Sequence, residues 1–299
     1  MERLGTKSLI LVFLFVSLIN NYILSILGTL HVPTGQSLTG RGIACIACSL
    51  LGGIFLKEKV LPTKLGTQTA RFVFSGFGLW ATIESYQFAR ASEIALISRL
   101  DLPLIVIFGF LISLSTNHLQ KVMSVLLIVA IVFSIWIFSD QHTTLYGLSL
   151  AAFGTIILSV SYLLLNRTAR TESPAIVSLT PAIACVCAGT LLLVKSRLLV
   201  NLNPLVLLLN IASGVAMYMS YRVIRHFYRR FSFFRAQIVY ILIPIFSIPI
   251  DIIGFGRNFS LAEYGAFLMI SLGVMVTGLS NEKIHLYPGG KNEYQKAIS

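Results

Sequence analysis

A chain of 299 residues that is 56% hydrophobic and only 11% charged, with a mean hydropathy of +0.85, carries more apolar surface than one soluble core can hide. Apolar blocks of about 20 residues, the length that crosses ~30 Å of hydrocarbon, follow one another with little between them, which excludes an ordinary soluble globule. The net charge of +12 would suit nucleic acid, but the basic residues gather at block ends, so membrane topology accounts for them and no nucleic-acid partner is expected.

Taken in order, the blocks predict ten spans over 9–28, 37–56, 70–89, 94–114, 121–139, 145–166, 174–194, 204–223, 233–254 and 262–281. The expected fold class is an all-α polytopic membrane protein. The first block follows Arg3 and Lys7 as a signal peptide would, but it lacks a small-residue cleavage site and contains Asn20 and Asn21, so it reads as a span. The second span carries Arg41, Cys45 and Cys48, the third Trp80 and Glu84 with Gln87 close behind, and the fourth Arg99, Asp101 and Pro103. Cys185 and Cys187 lie in the seventh. None of the four cysteines has a nearby His or acidic residue in sequence, so neither a metal, a disulfide framework nor a cofactor is expected. Tyr218 and Tyr221 fall in the eighth span, and Gln237, Tyr240, Pro244 and Asp251 in the ninth. Residues 282–299 form a polar tail, expected to be disordered and cytoplasmic.

Basic residues alternate between the two sides. One side holds seventeen of the 23 Lys and Arg, among them Lys57, Lys59, Lys64, Arg71, Arg222, Arg225, Arg229, Arg230 and Arg235; the other holds Arg90, Lys195, Arg197 and Arg257. Short basic loops stay in the cytoplasm, so both termini are expected inside. The aromatic-interleaved stretch from Arg222 to Arg235 is expected to bind anionic lipid headgroups.

The chain also repeats itself. Pro33, Ser37, Leu38 and Thr39 recur as Pro174, Ser178, Leu179 and Thr180 at a spacing of 141 positions. Pro103 recurs as Pro244 at the same spacing, and Ile43, Ala44 and Cys45 as Ile183, Ala184 and Cys185 at 140. This argues for two copies of a five-span unit, residues 1–140 and 141–281. Five is odd, so the second copy enters the membrane from the opposite side, the inverted architecture common among secondary transporters.

Ten spans in about 300 residues, the 5+5 repeat, Pro33 then Arg41 entering the second span, and a fourth span with a central Pro103 mirrored by Pro244 together resemble the drug/metabolite transporter superfamily, EamA-like branch. The resemblance runs through the whole chain, although the Gly-Glu pair frequent at the ends of spans four and nine is missing at Ser113 to Asn117 and at Phe255 to Asn258. It implies a central cavity lined by spans one to four and six to nine, with alternating access.

Charge at membrane depth costs about 2.5–3.5 kcal/mol per residue, so buried polar groups are the candidates for substrate binding: Asn20, Arg41, Trp80, Glu84, Gln87, Arg99, Asp101, Tyr218, Gln237 and Tyr240. Trp80, Glu84 and Gln87 share one helical face, expected to look into the cavity. Arg99 and Asp101, two apart, should point about 200° away from each other, so at least one needs a partner elsewhere; Arg41 with Asp101, or Arg99 with Glu84, would serve. Pro103 and Pro244 are expected to kink their spans and take part in gating. No Gly-rich ATP-binding loop is present, so the expected function is secondary transport. Two deep acids and two deep bases suit a small polar, zwitterionic or cationic metabolite, amino-acid-like, a quaternary amine or S-adenosylmethionine-like. The expected setting is a bacterial inner membrane, as monomer or homodimer. A membrane-embedded enzyme acting on lipid-linked phosphate, or a non-transporting scaffold, are the alternatives.

Overall fold

The computed structural model describes residues 6–111, 118–138, 144–169, 171–196, 203–230, 239–240 and 242–279. In chain order the helices are α1 (Thr6–Thr29), α2 (Thr34–Phe55), α3 (Leu65–Ser85), α4 (Ala91–Ile97), a 3₁₀ turn (Ser98–Leu100), α5 (Asp101–Leu111), α6 (His118–Phe138), α7 (Leu145–Thr168), α8 (Pro174–Ser196), α9 (Pro204–Arg230), α10 (Leu242–Phe255) and α11 (Leu261–Leu279). No strand occurs among the described residues.

Six of these, α1, α2, α6, α7, α8 and α9, are long and apolar enough to cross a membrane. The remaining predicted spans differ for physical reasons. Helix α3 has the length but carries Gln68, Arg71 and Glu84, the fourth predicted span is broken by its 3₁₀ turn, and α10 and α11 are shorter apolar helices. Large apolar side chains point outward, with Trp136 73%, Ile253 86% and Leu261 89% exposed, while Arg41, Arg71, Glu93, Asp101 and Asp251 are buried. Apolar outside and polar inside is the distribution that lipid stabilises, and it marks the chain as a membrane protein.

At the centre α2 packs along α8. Their backbones approach where Gly35 faces Gly189: a Cβ added to Gly189 would lie 2.6 Å from the Gly35 carbonyl oxygen and 2.4 Å from Thr39 Oγ1. Small residues drive helix association in lipid, where apolar burial supplies no net gain. The seam is closed by Ser49 Oγ and Ser178 Oγ, 2.7 Å apart. Around this pair α3 packs on α7 and α1 on α9, α2 also meets α9 and α3 meets α8, and further out α4 packs on α10 and α6 on α11.

Two expectations about charge placement change. Helix α3 starts at Leu65, so Arg71 is inside a helix and fully buried, and α9 continues to Arg230, past the predicted end at 223. Gln237, Arg235 and the tail 282–299 lie outside the described residues.

Central cavity and two ionic clusters

A cavity of about 170 Å³ lies mid-bundle, bounded by α1, α2, α3, the α4–α5 break, α7, α9, α10 and Tyr240. Its apolar walls include Phe13, Leu24, Leu158 and Ile224. Its polar lining is Ser17, Asn20, Asn21, Arg41, Thr82, Tyr86, Ser98, Arg99, Asp101, Thr155, Tyr162, Ser220, Tyr221 and Tyr240.

The break in the fourth span is what places its charges. Pro103 has no N–H to give to the preceding turn, and the chain tightens to 3₁₀ at Ser98–Leu100 before restarting at Asp101, so Pro103 stands in the first turn of α5. Because the helix is interrupted between them, Arg99 and Asp101 both reach the cavity, against the 200° expected of a continuous helix. Arg99 Nε donates to the Ala95 carbonyl at 3.3 Å, and its guanidinium sits 5.3 Å from the Tyr240 ring centroid. Asp101 feels the charge of Arg99 and retains a buried Oδ1 with no hydrogen-bond donor.

Of the ten sequence candidates, the cavity brings together Asn20, Arg41, Arg99, Asp101 and Tyr240. Asn20 Oδ1 accepts from Ser213 Oγ at 3.0 Å, and Asn21 Oδ1 from the Tyr86 hydroxyl at 3.1 Å. Trp80, Glu84, Gln87 and Tyr218 are elsewhere. The cavity face of the third span is Leu79, Thr82, Ile83 and Tyr86, one position, or about 100°, from the face carrying Trp80 and Glu84. Helix α3 also ends at Ser85, which turns Gln87 away to donate to Thr34 Oγ1 at 2.8 Å and the Val32 carbonyl at 3.2 Å. The pairing of two acids with two bases therefore fails: the cavity holds Arg41, Arg99 and Asp101 without Glu84, and neither Arg41 with Asp101 nor Arg99 with Glu84 forms an ion pair among the described residues. Thr82, Thr155, Tyr162 and Ser220 were missed; an isolated hydroxyl in an apolar run carries no sequence signal that separates it from helix-to-helix packing.

Tyr218 belongs to a cluster at the end of the bundle that carries the loops 56–64 and 169–173. Arg222 pairs with Glu58 at 2.5 Å and donates to the Tyr218 hydroxyl at 2.7 Å. Glu58 Oε2 accepts from Ala175 N at the start of α8. Glu172 accepts from Thr63 N at 3.0 Å, Lys64 N at 2.9 Å and Thr63 Oγ1 at 2.9 Å, and its backbone oxygen takes two bonds from Arg225. Burial opposes ionisation of the Glu172 carboxyl, but these donors outweigh it and hold it below the usual range. Arg222 and Arg225 are thus spent inside the protein, and among the arginines of this stretch whose side chains are described Arg229 is the exposed one. Deeper, Arg71 donates to Gln68 Oε1 at 2.9 Å and the Val177 carbonyl at 3.2 Å.

At the opposite end Arg257 pairs with both Glu93 and Glu263. Glu93 also accepts from Arg90 N, and Ser92 N donates to Asp251 Oδ2 at 2.9 Å, fastening α4 to α10. A second cavity of about 350 Å³, lined by His31, Gln87, Arg90, Asp251 and Phe255 among others, lies there and shares Tyr86 with the central one. Pro244, like Pro103, is buried, three residues into its helix. The described residues hold no cluster of His, Cys, Asp and Glu able to bind a metal.

No family model matches the chain, and neither does any curated relative. Among 19 solved chains that match, one described only as "Crystal structure of protein" aligns over 92% of this chain and 98% of its own, with a TM-score of 0.65 at 16% identity. At that identity the likeness extends to the fold alone.

Proposed function

We propose that this chain is a secondary carrier of a small polar metabolite, built as a 5+5 inverted repeat and working by alternating access. The observation that carries the reading is the mid-bundle cavity, in which charged side chains with unmet hydrogen-bonding capacity are enclosed by helices from both parts of the chain.

The repeat is supported by the helix starts: α2 begins at Thr34 and α8 at Pro174, 140 positions apart, the spacing at which Ile43, Ala44 and Cys45 recur. Exchanging the halves also maps the packing onto itself: α3 on α7 becomes α1 on α9, and α2 on α9 becomes α3 on α8. Arg99 and Tyr240, which stack across the cavity, occupy equivalent positions. On this reading the end with Glu58, Glu172 and Arg222 faces the cytoplasm and the termini are inside, in a bacterial inner membrane, as the excess of basic residues on that side favours.

The test is counterflow of labelled metabolites in proteoliposomes. Saturable exchange, trapped by unlabelled substrate on the far side, is expected; catalytic turnover of a lipid-linked phosphate without exchange would replace the carrier with an enzyme.

A further inference from the structure

Arg41 is 4% exposed, lines the central cavity, and has neither a carboxylate within ion-pair distance nor any hydrogen-bond acceptor among the described residues. The other deep arginines among the described residues are provided for. Arg71 has an amide oxygen and a backbone carbonyl, Arg222 has Glu58, Arg225 has the Glu172 carbonyl, and Arg257 has two carboxylates. Arg99 has the Ala95 carbonyl, the Tyr240 ring and Asp101 two residues on. The groups that feel the charge of Arg41 are phenols and thiols, Tyr86, Tyr162, Tyr221, Cys45 and Cys185, and none of these is a counter-ion at neutral pH.

A buried, unpaired guanidinium is costly, and its planar fork is matched to a carboxylate. We propose that the cavity binds an organic monoanion, its carboxylate held by the Arg41 guanidinium, so that substrate supplies the counter-charge the protein omits. This rests on the carrier reading and names its substrate class. Size and charge bound the ligand further. About 170 Å³ is several times the ~30 Å³ share of one water, so the site takes more than a halide ion. Asp101 on the cavity wall repels a second negative charge, which disfavours phosphate dianions, and the two guanidiniums repel a cation.

The experiment compares lactate, alanine, lactamide and ethanolamine as small anion, zwitterion, neutral and cation, together with longer monocarboxylates up to six carbons. Each is titrated calorimetrically into the purified full chain in detergent and then tested for counterflow. Monocarboxylates are expected to bind the native protein. Arg41→Gln should weaken them by about 30-fold or more, as removal of one member of a buried charge pair does, and Arg41→Lys should fall between the two. Ligand-free Arg41→Gln should also unfold at a higher temperature than native protein, because an uncompensated charge has been removed; this readout shows that the variant folds. Binding of alanine, lactamide or ethanolamine as tight as that of lactate overturns the proposal, as does carboxylate binding unchanged in Arg41→Gln or no binding by any monocarboxylate. A carboxylate that binds through Arg41 but is never exchanged leaves the anion site standing and refutes the carrier. Exchange of ethanolamine with carboxylates inert does the reverse.

Discussion

Arg257 forms ion pairs with two buried carboxylates, Glu93 at 0% exposure and Glu263 at 7%, and is itself 3% exposed. It joins the start of α4 to the start of α11 across the linker 256–260, at the end of the bundle above the second cavity. Arg257→Gln removes the ion-pair partner that the two carboxylates share. Removing one member of a buried pair destabilises by about 3–5 kcal/mol. Here Glu93 keeps the Arg90 N–H and Glu263 keeps the Ser260 N–H at 2.6 Å, each a charge-assisted bond, so the lower part of that range, about 3 kcal/mol, is expected. The double variant Arg257→Gln, Glu93→Gln removes the stranded charge in the fully buried position and should recover more than half of the loss. Denaturant unfolding of the purified protein in mild micelles, followed by helix content, measures all four corners of the cycle. A loss below about 1 kcal/mol, the scale of an exposed ion pair, would refute this account of the cluster, and so would a double variant no more stable than the single one.

Gly189→Ala should destabilise by about 1–3 kcal/mol, because its Cβ meets a backbone oxygen and a hydroxyl at 2.6 and 2.4 Å; Gly265→Ala on α11, with nothing within 4 Å, should instead gain up to about 1 kcal/mol of helix propensity, and equal thermal stability of the two variants would refute the close α2–α8 approach. Glu84→Gln should change exchange in proteoliposomes by no more than about twofold, since Glu84 stands off the cavity lining; loss of exchange would return it to the site. Glu172 is held below its ordinary value of 4.5, so its contribution to stability is complete above that pH and is lost as pH falls through the lower, native value. Thermal unfolding should therefore be flat from neutral pH to about 5 and fall below it, and Glu172→Gln should flatten that acid limb; an unaltered limb refutes the assignment.

Apolar block length was enough to locate most helices, because a lipid-crossing helix needs little beyond ~20 apolar residues. Helix α8, expected over 174–194, runs Pro174–Ser196, and α6, expected over 121–139, runs His118–Phe138. Ends set by polar interactions were not legible in the same way. Helix α9 extends past 223 because Arg222 and Arg225 find Glu58 and Glu172 more than fifty positions away, and nothing local announces those partners. Within the cavity, deep Arg and Asp were legible from the cost of burying charge. The face of α3 was not: Trp80, Glu84 and Gln87 form an equally good polar stripe, and only packing against α7 decides that Leu79, Thr82, Ile83 and Tyr86 turn inward. The reach of Arg99 and Asp101 into one space likewise depended on a 3₁₀ turn, where the single cue was Pro103 three residues beyond.

The placement of charge along the bundle bears on how the proposed carrier would move. Each end is fastened by carboxylates and guanidiniums that satisfy one another, Glu58 with Arg222 at one and Arg257 with Glu93 and Glu263 at the other, and each fastening ties a loop or helix start to a distant helix. Alternating access requires one of them to part while the other holds, and the pairs are few enough for a bound ligand to shift that balance by a few kcal/mol. The centre is built the other way, with Arg41 left uncompensated. An empty carrier must then take a bare guanidinium through the closed intermediate, in which water is excluded and the charge is most costly. A carrier loaded with a monoanion takes a neutral pair through the same state. In the proposed carrier, leaving Arg41 uncompensated would therefore favour exchange of one anion for another over return of the empty protein, with no separate device needed to couple the two directions.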